Sequence, residues 1–237
     1  LEELENQNMK NAAITLLDVL GWKGIWQRRT NAITELKQLI EGIELRAYEL
    51  TGGEKFKSKK FEAFKLLKPE IISISDTIAI ITYGDDIDVV LEFHGVLSAL
   101  LIARGLQLGI PLRGATSYGK LNTKDNILIG PAVDEVASWY ETVNWIGVIQ
   151  TPSALWSVTR ECQITNLFIN EKVLLKQHGS VMTNVVNWPH VWTNHKKNEE
   201  DLKSVFLRMG PLTPDIAIKL FNSKKFYDEN KENQIIF

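Results

Sequence analysis

IISISDTIAIITYGDD, residues 71–86, places acidic residues in two settings. Asp76 interrupts a run of strand formers, flanked by Ser75 and Thr77. Asp85 and Asp86 instead follow Tyr83-Gly84 and stand directly before a long apolar repeat. The alternation on either side of Ser75-Asp76-Thr77 predicts two strands around a tight turn, or one bent strand. From Asp86 to Leu108, the residues Val89, Val90, Phe93, Val96, Leu97, Leu100 and Leu101 recur at helical spacing, and Gly109 ends the pattern. A hairpin feeding a long apolar helix is therefore the centre from which the rest of the fold is read.

Upstream, AAITLLDVLGW (12–22) reads as a buried strand carrying one acid, Asp18. From Gly24 the pattern turns helical, with Ile25, Ala32, Ile33, Leu36, Leu39, Ile40 and Ile43 on one face. The glycine- and lysine-rich TGGEKFKSKKFEAF (51–64) reads as an exposed connection. Downstream, 111–121 and 127–133 read as strands joined by a polar turn, and Pro131 opens a helix running through Trp139 to about Thr142. WIGVIQTPSA (145–154) is a further strand with a short helix after it. EKVLLKQHGSVMTNVVNWP (171–189) reads as a hairpin turning at His178-Gly179. The tail from Trp192 is polar, with short helical pieces around 199–209 and 213–222. This order predicts an α+β fold, a mixed and mainly antiparallel sheet with helices on one face, and not a doubly wound parallel sheet.

Composition sets outer bounds. A chain of 237 residues with 44% hydrophobic and 24% charged residues can bury a sizeable core. A net charge of -2 gives no overall electrostatic footprint for nucleic acid, so no nucleic-acid partner is expected. The single cysteine, Cys162, excludes an internal disulfide and Cys-based zinc spacing, which makes a reducing cytoplasm the expected location. No apolar run reads as long enough to span a membrane, and the polar, acidic opening is unlike a signal peptide. Leu1 in place of Met points to an excised domain, with Met9 a candidate natural start; an anchor upstream would be invisible.

Asp18 and Asp76 each sit in an otherwise apolar strand, where a carboxylate is costly to bury unless paired or metal-bound. Magnesium takes hard oxygen ligands, commonly one or two carboxylates plus substrate phosphates. After Asp18, the residues Gly21-Trp22-Lys23-Gly24 lead toward a helix, and backbone N–H groups at such a junction hold anions, with Lys23 able to assist. The plain alternative is an edge or turn-capping aspartate; the two acids together bring the readings close to balance. Tyr83-Gly84-Asp85-Asp86 has the wording of a palm-polymerase metal motif. A polymerase hairpin, however, needs a second strand after the acids, and here a helix follows. Capping of that helix is the favoured reading.

The ordered blocks resemble the class III nucleotidyl cyclases. LLDVLGWKGI is similar to their first aspartate strand and glycine turn, and ISISDTIAII to their second metal motif. IPLRGATSYGKL with ILIGPAVDEVASWYE resembles their arginine strand, turn and glycine-led helix. VLLKQHGSVMTNVV resembles their last lysine-bearing hairpin. The resemblance covers residues 14 to about 188. It implies a ferredoxin-like, palm-type cyclase fold in a domain over 12–190, with extensions over 1–11 and 191–237. It also implies that Asp18 and Asp76, with the Val19 carbonyl, hold two Mn2+ or Mg2+ ions. Gly21, Trp22, Lys23 and Gly24 would cradle phosphates, and Arg113 or Lys176 would add positive charge, a structural salt bridge being the equal alternative for Arg113. One such domain per chain implies a homodimer.

Several positions depart from that family. The purine-reading lysine falls on Ile72 and its acidic partner on Ile127, while the asparagine and arginine that stabilise the transition state fall on Asp134 and Ser138. The compact wording is most similar to the pyrimidine cyclases of bacterial anti-phage Pycsar systems. That resemblance implies a chain that converts UTP or CTP to cyclic UMP or cyclic CMP, a second messenger for a cognate effector. Ile72 and the nearby Trp22 suit a smaller base. The alternative is a catalytically inactive cyclase-fold module that binds a nucleotide or a partner.

Overall fold

Sheet and helices alternate along the chain as β1 (Lys10–Val19), α1 (Ala32–Gly52), a 3-10 helix (Lys59–Leu66), β2 (Pro69–Ile74), β3 (Thr77–Tyr83) and α2 (Ile87–Leu108). There follow β4 (Leu112–Lys124), β5 (Ile127–Ile129), α3 (Pro131–Trp139), β6 (Gly147–Gln150) and α4 (Pro152–Ser157). The chain closes with β7 (Phe168–Leu175), β8 (Gly179–Val186), α5 (Trp188–His195), α6 (Leu202–Arg208) and α7 (Pro214–Asn230). This computed structural model describes residues 9–21, 29–52, 59–195, 201–208 and 211–236.

The strands form one eight-stranded sheet in the order β2-β3-β1-β4-β6-β8-β7, with β5 paired to β4. All pairings are antiparallel except β4 with β6. The first strand of the chain thus lies inside the sheet, where β1 pairs with β3 on one side and β4 on the other. Eight of its ten residues are buried, which is why its sequence is an almost unbroken apolar run. On one sheet face the polar contacts form a short chain. Thr116 and Thr15 share a hydrogen bond of 2.7 Å, and Thr15 Oγ1 meets His94 Nδ1 of α2 at 2.7 Å.

Neighbouring strand residues face opposite ways. Ser117, next to Thr116, donates to the Ala132 carbonyl of α3 at 2.6 Å. Helix α3 therefore covers the face opposite α2, and helices flank the sheet on both sides, not on one. The sheet is nevertheless mainly antiparallel and the class α+β, as the strand and helix order predicts.

The 71–86 stretch folds as a hairpin followed by a helix. Ile74 pairs with Thr77, and Ser75 takes a positive φ of 57° in the two-residue turn, which leaves Asp76 at the hairpin tip. Asp86 caps α2, its Oδ1 accepting from the Val89 N–H at 3.1 Å. Gly109 closes that helix in the left-handed conformation, φ 69°, and its N–H returns to the last turn. Helix α2 has the length and a mean hydropathy of 1.6 that would allow it to cross a bilayer, contrary to the sequence expectation; 83% of that window is buried inside the protein. It is the core helix.

Other expectations are corrected by packing. In α1 the buried stripe is Ala32, Leu39, Ile43, Ala47 and Leu50, while Ile33 lies 82% exposed. The presumed exposed connection instead contains the 3-10 helix, whose Phe61 and Phe64 are buried. Their rings meet edge-on at 5.4 Å, and Phe64 meets Phe93 at 5.5 Å. The strand read through 189 stops at Val186, and Trp188 begins α5. The last helix runs to Asn230, well beyond residue 222. Its Phe226 is buried against Trp145 at 4.7 Å and Trp188 at 6.2 Å.

Candidate active site

Register alone brings the two acids to one end of the sheet. Asp18 is opposite Thr77 on β3 and Arg113 on β4, so Asp76, one residue before Thr77, is its near neighbour. The Val19 N–H donates to the Asp76 carbonyl at 3.3 Å, which ties the end of β1 to the hairpin tip. Leu20 N–H bonds the Pro111 carbonyl at 2.9 Å, holding the other side. The turn continues through Gly21 at φ 76°, a conformation that glycine adopts without strain. Trp22, Lys23 and Gly24 lie outside the described residues.

Arg113 is buried and its ends are fully engaged. Nε and Nη2 both reach Asp18 Oδ2, at 2.7 and 2.5 Å. Nη1 donates to the carbonyls of Glu141 at 2.8 Å and Val143 at 3.4 Å. The arginine thus bolts the acid of β1 to the 141–143 segment. Burial raises the Asp18 carboxyl above the ordinary carboxylate range; Arg113 opposes this, and the nearby charges of Asp76 and Glu141 add to it. A neighbouring cation would relieve both the desolvation and the repulsion between the acids.

Only one oxygen of Asp18 is taken by Arg113, and Asp76 is half-buried at the open tip. That leaves hard oxygens facing the same end of the sheet. No group of three or more His, Cys, Asp or Glu able to hold a metal occurs among the described residues. Two carboxylates fit a magnesium- or manganese-type ion that completes its shell with substrate oxygens, and they do not fit a closed structural metal cage.

Around the acids stand Lys176, which the resemblance singles out, and three groups that the sequence reading did not: Tyr140, Glu141 and Lys219. Tyr140 donates to Glu141 Oε1 at 2.8 Å. Burial, then the Glu141 carboxylate, push its phenol up to about 12, while a hydrogen bond from Thr77 pulls the other way. Lys176 lies in the β7–β8 turn, and Lys219 of α7 lies close by. Burial and the positive charge of Arg113 lower both lysines, and the charge of Lys219 further lowers Lys176. Tyr140 and Glu141 were findable as the polar end of an amphipathic helix. Lys219 sits in a polar tail without a motif, and only tertiary packing exposes its place.

The purine-site departures are also located. Ile72 lies on β2 opposite Ala79, half-buried against the core, and Ile127 is exposed on β5. Asp134 and Ser138 are on the exposed side of α3, with Ser138 Oγ bonded to the Glu135 carbonyl at 2.7 Å.

No protein-family profile and no curated protein matches the chain. Solved structures do. The catalytic core of a rhodopsin-guanylyl cyclase with converted specificity, in complex with ATPαS, superposes with a TM-score of 0.51 at 13% identity, over 75% of this chain and 95% of that one. The fold is the nucleotidyl cyclase fold. A bacterial light-regulated adenylyl cyclase gives a TM-score of 0.48 at 14% identity over 76% of this chain and 92% of that one. An adenylate cyclase from Trypanosoma brucei gives 0.47 at 12% identity over 75% and 90%.

Proposed function

We propose that this chain is a nucleotide cyclase that converts a pyrimidine nucleoside triphosphate, UTP or CTP, to the 3′,5′-cyclic monophosphate and pyrophosphate. The observation that carries this reading is the nearness of Asp18 to Asp76, the residue before its strand partner Thr77, with the cations of Arg113 and Lys176 beside them. In the reaction the ribose 3′-oxygen bonds to the α-phosphorus as its proton leaves. The bond to the bridging oxygen breaks, and pyrophosphate departs with the electron pair. Asp18 and Asp76, with the Val19 carbonyl, would hold two Mn2+ or Mg2+ ions, which when bound stabilise the charge on the attacking and leaving oxygens.

The chain's own side chains do the positioning. Arg113 fixes the orientation of Asp18, and Lys176 offers its ammonium to the phosphates. Gly21 and the residues after it would carry the phosphate-facing turn. A pyrimidine substrate is supported by Ile72 and Ile127, which offer apolar side chains where a purine-reading pair of polar groups would stand. In the fuller reading the site is completed in a homodimer, and the product is a cytoplasmic messenger for an effector in bacterial anti-phage defence.

Purified protein incubated with each of the four NTPs and manganese, with products identified by mass spectrometry, tests this. Cyclic UMP or cyclic CMP is the expected product; product from ATP or GTP alone would overturn the pyrimidine assignment. Asp76→Asn is expected to lower turnover by on the order of a hundredfold, since an amide lacks the charge an ion needs. Full activity in that variant would remove the metal assignment.

A second reading has its own observation. Arg113 spends its hydrogen bonds on Asp18 and two carbonyls, and Asp134 and Ser138 stand where the family's transition-state groups would be. A cyclase-fold module that binds nucleotide without turnover shows calorimetric binding and no product from any NTP.

A further inference from the structure

The C-terminal helix lies beyond the part of the chain that resembles cyclases, yet it borders the site. A groove of about 370 Å³ is lined by Asn144, Lys176, Gln177, Asp215, Ile218 and Lys219. Its two lysines come from elements far apart in sequence, the β7–β8 turn and the second turn of α7. Both are half-buried. Lys219 Nζ donates to the Asp215 carbonyl of its own helix at 2.8 Å. Among the described residues neither ammonium has a carboxylate at ion-pair distance.

The placement of Lys219 is built, not incidental. One turn further along α7, the buried Ser223 Oγ accepts the Ile146 N–H at 2.7 Å and donates to the Lys219 carbonyl at 2.6 Å. Asn222 Nδ2 donates to the Asn144 carbonyl at 2.9 Å. Residues 141–146 therefore hold Arg113 through the Glu141 and Val143 carbonyls, and hold α7 through Asn144 and Ile146. The same strap thus ties the helix that carries Lys219 to the arginine that holds Asp18.

Arg113 is compensated by Asp18, whereas Lys176 and Lys219 line one groove without a carboxylate at ion-pair distance among the described residues, a positive pair that an anion would compensate. The acids facing the lysines are Asp18, Glu141 and Asp215. Asp18 is committed to Arg113. A chain of phosphates reaching from the Asp18–Asp76 end into the groove would meet both ammonium groups.

We propose that α7 belongs to the nucleotide site, with Lys219 acting beside Lys176 as a binding residue for the terminal phosphates of the substrate and for the pyrophosphate released. This rests on the cyclase reading above. It adds a contact from a segment outside the cyclase-like part of the sequence.

Sodium tripolyphosphate, titrated calorimetrically into the full chain at constant manganese chloride, probes the grip without any turnover. Lys219→Met is expected to weaken its binding about tenfold, the scale of one charge-assisted contact. Lys219→Arg should restore most of the loss, and Lys224→Met, on the same helix but outside the groove, should leave affinity as in the parent. Lys219→Met with parental affinity, or a parent chain that takes up no tripolyphosphate, would overturn the proposal. The NTP screen keeps the two readings apart. Cyclic product with unchanged polyphosphate affinity and KM in Lys219→Met sinks the grip and keeps the cyclase. Lost affinity with no product from any NTP keeps the grip and sinks the cyclase.

Discussion

Asp18 owes its position to a guanidinium. With Arg113 removed, a buried carboxylate would face Asp76 and Glu141 without a partner, and loss of one member of a buried pair costs about 3–5 kcal/mol. Arg113→Met should therefore lower unfolding free energy by that amount in urea titrations, and the Asp18→Asn, Arg113→Met double variant should lose less than the single one. His94 sets a second, separate dependence. Burial depresses its imidazole from 6.5 to about 3, and Thr15 supports the neutral ring at Nδ1. Below the unfolded-state value the unfolded chain takes up a proton that the native chain refuses, so stability falls as pH drops from about 6.5 towards 3. Between about pH 7.5 and 5.5 this single group removes about 1.4 kcal/mol. His94→Asn should remove that share of the pH slope in denaturation curves, and an unchanged slope would refute the assignment. Asp18 was legible as an acid in a buried apolar strand, where it needs a partner and has one in Arg113. Asp76, read as a strand residue as well, lies instead in the two-residue turn and is half-buried. A structural salt bridge was one of two even readings for Arg113 and is the one found, but its partner was not legible, because it depends on a strand pairing between positions 95 apart.

At the level of elements, the hairpin and α2 follow from local chemistry alone: alternation, a short turn, a capping aspartate and a closing glycine. Asp86→Ala should cost about 1 kcal/mol of stability, the worth of an N-cap, and leave nucleotide turnover intact. A loss of turnover without a loss of stability would instead revive a metal role for Tyr83-Gly84-Asp85-Asp86. Elements fixed by distant partners were less legible. FEAF looked like linker because its lysine-rich surroundings mask two phenylalanines that pack on Phe93 through Phe64. Ile33 fits the apolar spacing of α1 yet faces outward, since the buried stripe follows Ala32, Leu39 and Ile43. The face covered by α3 is likewise set by which of two adjacent residues, Thr116 or Ser117, turns toward which layer.

For the molecule as a whole, the C-terminal helix is part of the interior. Phe226 lies between Trp145 and Trp188, and Asn187 ties the last residues down by donating to the Asn166 and Asn233 carbonyls at 2.9 and 2.7 Å. Phe226→Ala should destabilise by about 3–5 kcal/mol in calorimetric unfolding, as other large aromatic truncations do. A loss under 1 kcal/mol would mean that α7 is an appendage. The central place of β1 has a consequence in time. Its partner β4 emerges about two fifths of a chain later, Arg113 standing 95 positions after Asp18. At ribosomal rates of about 5–20 residues per second, Asp18 waits on the order of 5–20 s for its guanidinium. Through that interval the first strand leaves the ribosome with one sheet edge open and its carboxylate uncompensated, so the sheet end that carries Asp18 and Asp76 matures among the last of its parts.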